Sequence, residues 1–271
     1  MASDEPIRAH IEALVRAGTL RRRTAAVQLE AEIRRREELL RETFRRYVSP
    51  KVADKILADS QLRDTLLTPA DMRAHAVVLF ADLRGFTSIS EQLEPHQVVP
   101  LLNEFFSLLT EITFRHDGTV FHMAGDCLML GFGVPLEQPD SAERAVRAAR
   151  EMLVSFAALA RSWKERFQID AGLGIGINEG DVVAGNVGSS AYMSYTLIGD
   201  TVNIASRLCQ RARAGEMLFS RTFKQSLDAH GLDIGATALP PLQLRGRSHP
   251  IDIFCVPLAQ RLHVTPAPAA A

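Results

Sequence analysis

The sequence predicts an α+β domain, with helices laid on a sheet, behind a helical N-terminal segment. Three observations predict it. Val77, Val78, Leu79 and Phe80 form an unbroken apolar run, the pattern of a strand covered on both faces. Two long amphipathic stretches, Pro95 to His116 and Asp140 to Phe167, carry apolar faces wide enough to lie on such a sheet. Residues 19–48 place Leu29, Ile33, Leu40, Phe44 and Tyr47 at three- and four-residue steps among arginines and glutamates, a narrow seam along a charged rod.

Composition narrows the function classes. The 271 residues, 46% of them hydrophobic, suffice for one sizeable core and an extra element. A net charge of −1 gives no overall field that would draw nucleic acid or an anionic membrane. The longest apolar run, Ala76 to Ala81, falls far short of the roughly 20 residues that cross a bilayer. The charged N-terminus has no signal-peptide core, so a soluble, cytoplasmic protein is expected. Cys127, Cys209 and Cys255 are isolated in apolar contexts and read as core thiols, not as a disulfide framework or zinc site.

In chain order, residues 5–17 have helical spacing (Ile7, Ile11, Leu14, Val15), with Gly18 as a stop. The seam from Leu29 to Tyr47 is the pattern of a two-helix contact, shortened by Arg36. Its arginine clusters would also suit acidic lipid or RNA, but interleaved glutamates favour a solvated coiled-coil face. Ser49-Pro50 opens a short helix, KVADKILAD, because Pro is tolerated in a first turn and Ser accepts an orphan N–H. The resulting plan is an N-terminal helical dimerisation or transducer segment (1–60), a linker (61–73), a main domain (74–258) and a disordered tail (259–271).

Within the main domain, Asp82 follows the apolar run at the expected strand end. Arg84-Gly85-Phe86-Thr87 then makes a tight turn into a helix, whose free N–H groups form an anion cradle. A carboxylate beside such a cradle suggests a divalent metal carrying a phosphate; a plain strand-capping aspartate is the alternative. TVFHMAGDCLMLGFG reads as two strands meeting at Ala124-Gly125-Asp126. Asp140 or Ser141 caps the next helix. Two strands are expected over Ile169–Ile177 and Asp181–Val187; Gly172, Gly174 and Gly176 leave one face of the first bare, and they lie within a strand, unlike a dinucleotide fingerprint. A β-like segment over Ser194–Ile198 and a Gly199-Asp200-Thr201 turn precede a helix from Val202 to Arg213 that presents Asn203 and Arg207 on one face. Last come a strand at Met217–Phe219, a helix at Arg221–His230, and strands at Leu242–Leu244 and Ile251–Val256 joined by the basic turn Arg245-Gly246-Arg247.

FADLRGFT, HMAGD and YTLIGDTVNIASRL, in this order and at these separations, resemble the catalytic domain of class III nucleotidyl cyclases. The resemblance covers Ala74 to Val256, and FRRYVSPKVADKIL is similar to the helical segment that leads into bacterial members. It implies a ferredoxin-like βαββαβ domain with an antiparallel sheet, working as a head-to-tail homodimer with active sites in the interface. It further implies that Asp82 and Asp126, joined by the Leu83 carbonyl, hold two Mg²⁺ or Mn²⁺ ions per site. Hard oxygen ligands suit those ions. Gly85, Phe86 and Thr87 would offer phosphate-binding amides, Asn203 would orient the ribose, and Arg207 would stabilise charge developing on the α-phosphate. Arg245 or Arg247 would contact the terminal phosphate, a solvated basic turn being the alternative. His122 and Thr196 occupy the base-selecting positions. His122 stands where a lysine is usual, and the bland reading is a half-buried strand histidine. Gly174 stands where a phosphate-contacting arginine is common, which would lower triphosphate affinity. The implied reaction converts ATP to 3′,5′-cyclic AMP and pyrophosphate. The alternatives are a guanylate or other nucleoside triphosphate cyclase, or a catalytically silent nucleotide sensor. No nucleic acid or membrane span is expected, and an upstream regulator would act through the N-terminal helices.

Overall fold

In the computed structural model the described residues are 49–58, 72–189, 192–244 and 249–257, with Arg35 within a helix nearer the N-terminus. Residues 1–46 and 47–271 pack as separate units, and the fold below is that of the second. The expected Leu29–Tyr47 seam, linker residues 61–71, the turn holding Arg245 and Arg247, and the C-terminal tail lie outside the described residues. Helix α1 (Pro50–Ala58) starts as its sequence predicts, with Ser49 Oγ accepting the Val52 N–H at 3.2 Å. It buries Val52, Ala53 and Ile56.

The sheet comprises β1 (Met72–Arg84), β2 (Thr119–Ala124), β3 (Cys127–Phe132), β4 (Gly172–Ser189), β5 (Tyr192–Ile198), β6 (Glu216–Ser220), β7 (Thr237–Leu242) and β8 (Ile251–Pro257). Its order is β2-β3-β1-β4-β6-β8-β7, with β5 hydrogen bonded to the end of β4. Helices α2 (Phe86–Gln92) and α3 (Pro95–Arg115) link β1 to β2, and α4 (Ser141–Phe167) links β3 to β4. The chain from β1 to β4 thus follows the expected βαββαβ order. Helix α5 (Asp200–Arg211) joins β5 to β6, and α6 (Arg221–Ala229) follows β6. The sheet is mixed, not wholly antiparallel, because β4 and β6 run parallel.

One face carries the main core, in which Leu79 of β1 and Phe132 of β3 meet Phe105 of α3 with Phe156 and Trp163 of α4. Phe156 packs edge-on against both Phe105 and Trp163, with ring centroids 5.7 and 5.6 Å apart. On the other face Ala76, Val78, Phe121 and Met129 gather with Ala205 of α5.

Several expectations need correction, and strand pairing explains those on the sheet. Strand β1 absorbs Met72 and Arg73, assigned above to the linker, and runs past Asp82 to Arg84, so Asp82 lies within the strand. All 13 of its residues have partners in β4. Strand β4 is continuous where two strands were expected. Asn178-Glu179-Gly180 reads as a turn by composition, yet these residues pair with Val78, Val77 and Ala76, and buried Asn178 donates Nδ2 to the Thr201 carbonyl at 3.1 Å. Helix α5 begins at Asp200, directly after Gly199, so no separate turn intervenes. Asp140 does not cap α4 with its side chain; it accepts from Arg144 at 2.7 Å. Strand β7 spans Thr237–Leu242, not Leu242–Leu244. It contains Pro240 and Pro241, tolerated because β7 is the sheet's outer edge and its register slips between Leu239 and Leu242.

The bare glycine face has a specific occupant. Gly176, Gly174 and Gly172 pair with Phe80, Asp82 and Arg84 respectively, and α5 lies over this ladder. A Cβ on Gly176 would overlap the Cys209 backbone nitrogen and the Ala205 carbonyl, neither of which can move without shifting α5. Gly125 contrasts with it: at φ +61° in the β2–β3 turn it has nothing within 4 Å of a new Cβ. Gly176→Ala should therefore lose at least about 2 kcal/mol in urea unfolding, as overpacking does. Gly125→Ala should lose only about 1 kcal/mol, the cost of a left-handed residue bearing a Cβ. The reverse ranking would show that α5 does not rest on the glycine ladder.

Candidate active site

Strand pairing places the first carboxylate. Asp82 sits between Cys127 on β3 and Gly174 on β4. The β2–β3 turn then brings Asp126 beside it, since Ala124 pairs with Cys127 and the Leu83 N–H donates to the Asp126 carbonyl at 3.1 Å. Burial pushes the Asp82 carboxyl up from its ordinary value; the Arg84 guanidinium opposes this and the charge of Asp126 adds to it. Burial likewise raises Asp126, against a backbone hydrogen bond and Arg84. Two partly desolvated carboxylates held together are under-neutralised, which is the condition a cation relieves.

Among the described residues no group of three His, Cys, Asp or Glu side chains is arranged to hold a metal. A hard divalent ion fits this pair only with backbone or substrate oxygens completing its shell. The adjacent turn offers a complement. Gly85, at φ +87°, is the N-cap of α2 without any side-chain cap, so the first amides of that helix, from Phe86 and Thr87 onward, are left for other acceptors. A Cβ at Gly85 would also stand 3.1 Å from the Asp170 carbonyl.

The remaining described candidates are on other elements. Asn203 and Arg207 are exposed on α5, and Arg207 Nη1 donates to Gln210 at 2.9 Å. Among the described residues neither makes an ion pair or side-chain hydrogen bond with Asp82 or Asp126. His122 on β2 is exposed, so the half-buried alternative does not hold, and Thr196 on β5 is partly exposed. The strands that carry them meet through the stacked rings of Phe121 and Tyr195, with centroids 5.8 Å apart. Burial pushes the Tyr195 phenol up to about 12, so it stays neutral. Met123, Val187 and Ile198 are large apolar side chains exposed near these positions by 45, 42 and 48%.

Arg84 carries no role in the sequence reading, yet it touches the site directly. Its guanidinium bonds Asp82 and lies where a side chain at Gly174 would start, 2.5 to 2.8 Å from that Cβ position. The signal was available in part: residues two apart on a strand share a face. Cys127 is also closer to the site than a core thiol should be: it is only half-buried and pairs with Asp82 across β1 and β3.

Comparison with known proteins agrees with this fold. The model of the adenylate and guanylate cyclase catalytic domain matches residues 69–256. An uncharacterised protein of Mycobacterium tuberculosis is 34% identical over 223 residues, which is 81% of this chain and 38% of that one. The chain thus spans well under half of that relative's length. Adenylate cyclase 1 of Rhizobium meliloti is 36% identical over 147 residues, 51% of this chain and 21% of that one. Among solved structures, the adenylyl cyclase CyaB from P. aeruginosa superposes with a TM-score of 0.67 at 31% identity, covering 72% of this chain and 99% of that one. The guanylyl cyclase Cya2 superposes with a TM-score of 0.62 at 32% identity, covering 72% and 98%. With a family model spanning most of its length and both kinds of cyclase sharing its fold, the chain belongs to the adenylate and guanylate cyclase catalytic domain family.

Proposed function

We infer that the chain is a nucleotidyl cyclase that converts ATP to 3′,5′-cyclic AMP and pyrophosphate in a site shared by two copies. The observation that supports this most is the separation within one chain. Asp82 and Asp126 converge at one place, whereas Asn203 and Arg207 stand on an exposed helix face without contacting them. Each chain then supplies two complementary half-sites, and a head-to-tail pair completes both. The exposed apolar side chains Met123, Val187 and Ile198 fit such an interface, as does the β4–β5 hairpin, whose residues beyond Ala184 pair, among the described residues, only with each other.

In this reading Asp82, Asp126 and the Leu83 carbonyl hold two Mg²⁺ or Mn²⁺ ions. When bound, such ions favour deprotonation of the ribose 3′-hydroxyl and neutralise charge on the departing pyrophosphate. The amides after Gly85, at Phe86 and Thr87, hold the phosphate chain, and Arg245 or Arg247 meets its terminal group. Asn203 fixes the ribose so that the 3′-oxygen lies in line with the α-phosphorus, and Arg207 faces the charge that builds there. His122 and Thr196 read the base.

A second reading, GTP as substrate, rests on His122. A neutral imidazole offers one donor and one acceptor where lysine offers only donors, so discrimination between purines is weakened. A silent nucleotide sensor is less favoured, since a mere binder has little use for Arg207.

Two outcomes test the reading. The raised carboxyl of Asp126 binds its proton more tightly folded than unfolded, so its stabilising protonated form dominates below its ordinary value of 3.8 and is lost as pH rises through the folded value. Asp126→Asn should therefore raise the melting temperature of the metal-free protein at pH 7, and the gain should vanish near pH 3. A lower melting temperature at pH 7 would show that the carboxylate is satisfied without a cation. The shared site is tested by mixing. A chain with Asp82→Ala and Asp126→Ala and a chain with Arg207→Ala should each be nearly inactive, the latter by about 10²- to 10³-fold. After subunit exchange, about half of the dimers are mixed and each holds one intact site, so activity should recover to roughly a quarter of wild type. No recovery despite demonstrated exchange would place each site within one chain.

A further inference from the structure

The proposed roles leave Arg84 unused, yet its surroundings are built around it. It follows Asp82 by two residues on β1, so both side chains project from the same face. The guanidinium donates Nη1 to Asp82 Oδ1, Nη2 to the Cys209 carbonyl, and Nε to the Ala212 carbonyl at 2.8 Å. Cys209 lies in the last turn of α5 and Ala212 is its C-cap, where helix carbonyls lack intrahelical partners and carry negative partial charge. Room for the group exists because residue 174 has no side chain. The Cys209 thiol closes the arrangement by donating to the Gly174 carbonyl at 3.4 Å. Arg84 and Asp82 side chains are only 24 and 23% exposed, so these charge-assisted bonds work in a partly dry setting.

A planar fork suits this task and a lysine does not. Three acceptors in different directions, one carboxylate and two carbonyls, are met by three N–H groups of one rigid plane. An ammonium on a flexible stem would satisfy them only by wandering among them.

We propose that Arg84 is a positioning residue, a bracket that fixes the rotamer of Asp82, leaves Oδ2 for a divalent cation, and anchors the C-terminal end of α5 to the same strand. The proposal rests on the reading of Asp82 as a metal ligand. Because α5 also carries Asn203 and Arg207, one side chain sets the geometry of both half-sites of a subunit. Gly174 is then the host of Arg84, and not a missing phosphate contact.

The test titrates the full chain with Mn²⁺ alone, followed by electron paramagnetic resonance, and separately measures kcat and KM with ATP. Wild type should bind Mn²⁺ in a way that Asp82→Ala abolishes. Arg84→Gln and Arg84→Lys should both weaken Mn²⁺ binding by about 10- to 100-fold, the usual effect of removing an outer-shell partner. Their kcat should fall by a similar factor while KM changes by less than roughly threefold, since geometry and not ground-state binding is lost. Gly174→Ala keeps every charge but pushes the guanidinium away, so it should show the same loss; it also serves if an Arg84 variant does not fold. Wild-type Mn²⁺ affinity and kcat in Arg84→Lys would overturn the bracket, because charge alone would then suffice. Unchanged values in a folded Gly174→Ala would overturn it as well. Mn²⁺ binding that survives Asp82→Ala would instead defeat the metal assignment itself, and the bracket with it.

Discussion

The antiparallel pairing of β1 with β4 is the constraint on which the rest of the molecule depends. It runs the full length of β1 and puts Phe80, Asp82 and Arg84 opposite three glycines. A row of side chains beside a row of none makes a trough, and α5 fills it at backbone distance. Had β4 carried side chains at 172, 174 and 176, the helix would ride several ångströms higher. Asp82 would then face solvent and Arg84 would lose both helix carbonyls. The same pairing orders the sheet so that β3 lies on the other flank of β1, and the β2–β3 turn delivers Asp126 next to Asp82.

This packing has an electrostatic consequence. Carboxylates inside a protein are tolerated when paired, yet burial outweighs the Arg84 pairing at Asp82 and dominates at Asp126 as well. The unfavourable charge is a local strain of the kind that clusters at functional sites, and a bound cation, as proposed, would relieve it. The apolar residues Met123, Val187 and Ile198 and the pair Asn203 and Arg207 add further exposed surface among the described residues. Two such surfaces on one chain are what the proposed site between subunits requires.

How much of this the sequence disclosed depended on where each signal resides. Asp82, Asp126 and the Gly85 turn were legible because the apolar run, the hairpin and the glycine are local features within a few residues of each charge. The order of elements from β1 to β4 was legible for the same reason. The continuity of β4 was not, since Asn178-Glu179-Gly180 has turn composition and only its partner strand and Thr201 keep it extended. The position of β7 was hidden by its two prolines, which are admissible only at an edge that the sequence does not identify. Arg84 is the sharpest case. Its spacing from Asp82 is visible, but its other acceptors are backbone carbonyls 125 and 128 residues away, and carbonyls leave no mark in a sequence.

The central claim, that these parts compose a cyclase acting on a purine nucleoside triphosphate, is tested most directly by product identification. The full chain at micromolar concentration would be incubated with Mn²⁺ and, in turn, ATP, GTP, CTP and UTP, and the products resolved by mass spectrometry. The account predicts 3′,5′-cyclic AMP and pyrophosphate in equal amounts from ATP, a smaller yield of cyclic GMP from GTP, and neither when Asp82 is replaced by alanine. Absence of any cyclic nucleotide from a folded, dimeric protein, or a cyclic product that persists in Asp82→Ala, would contradict it.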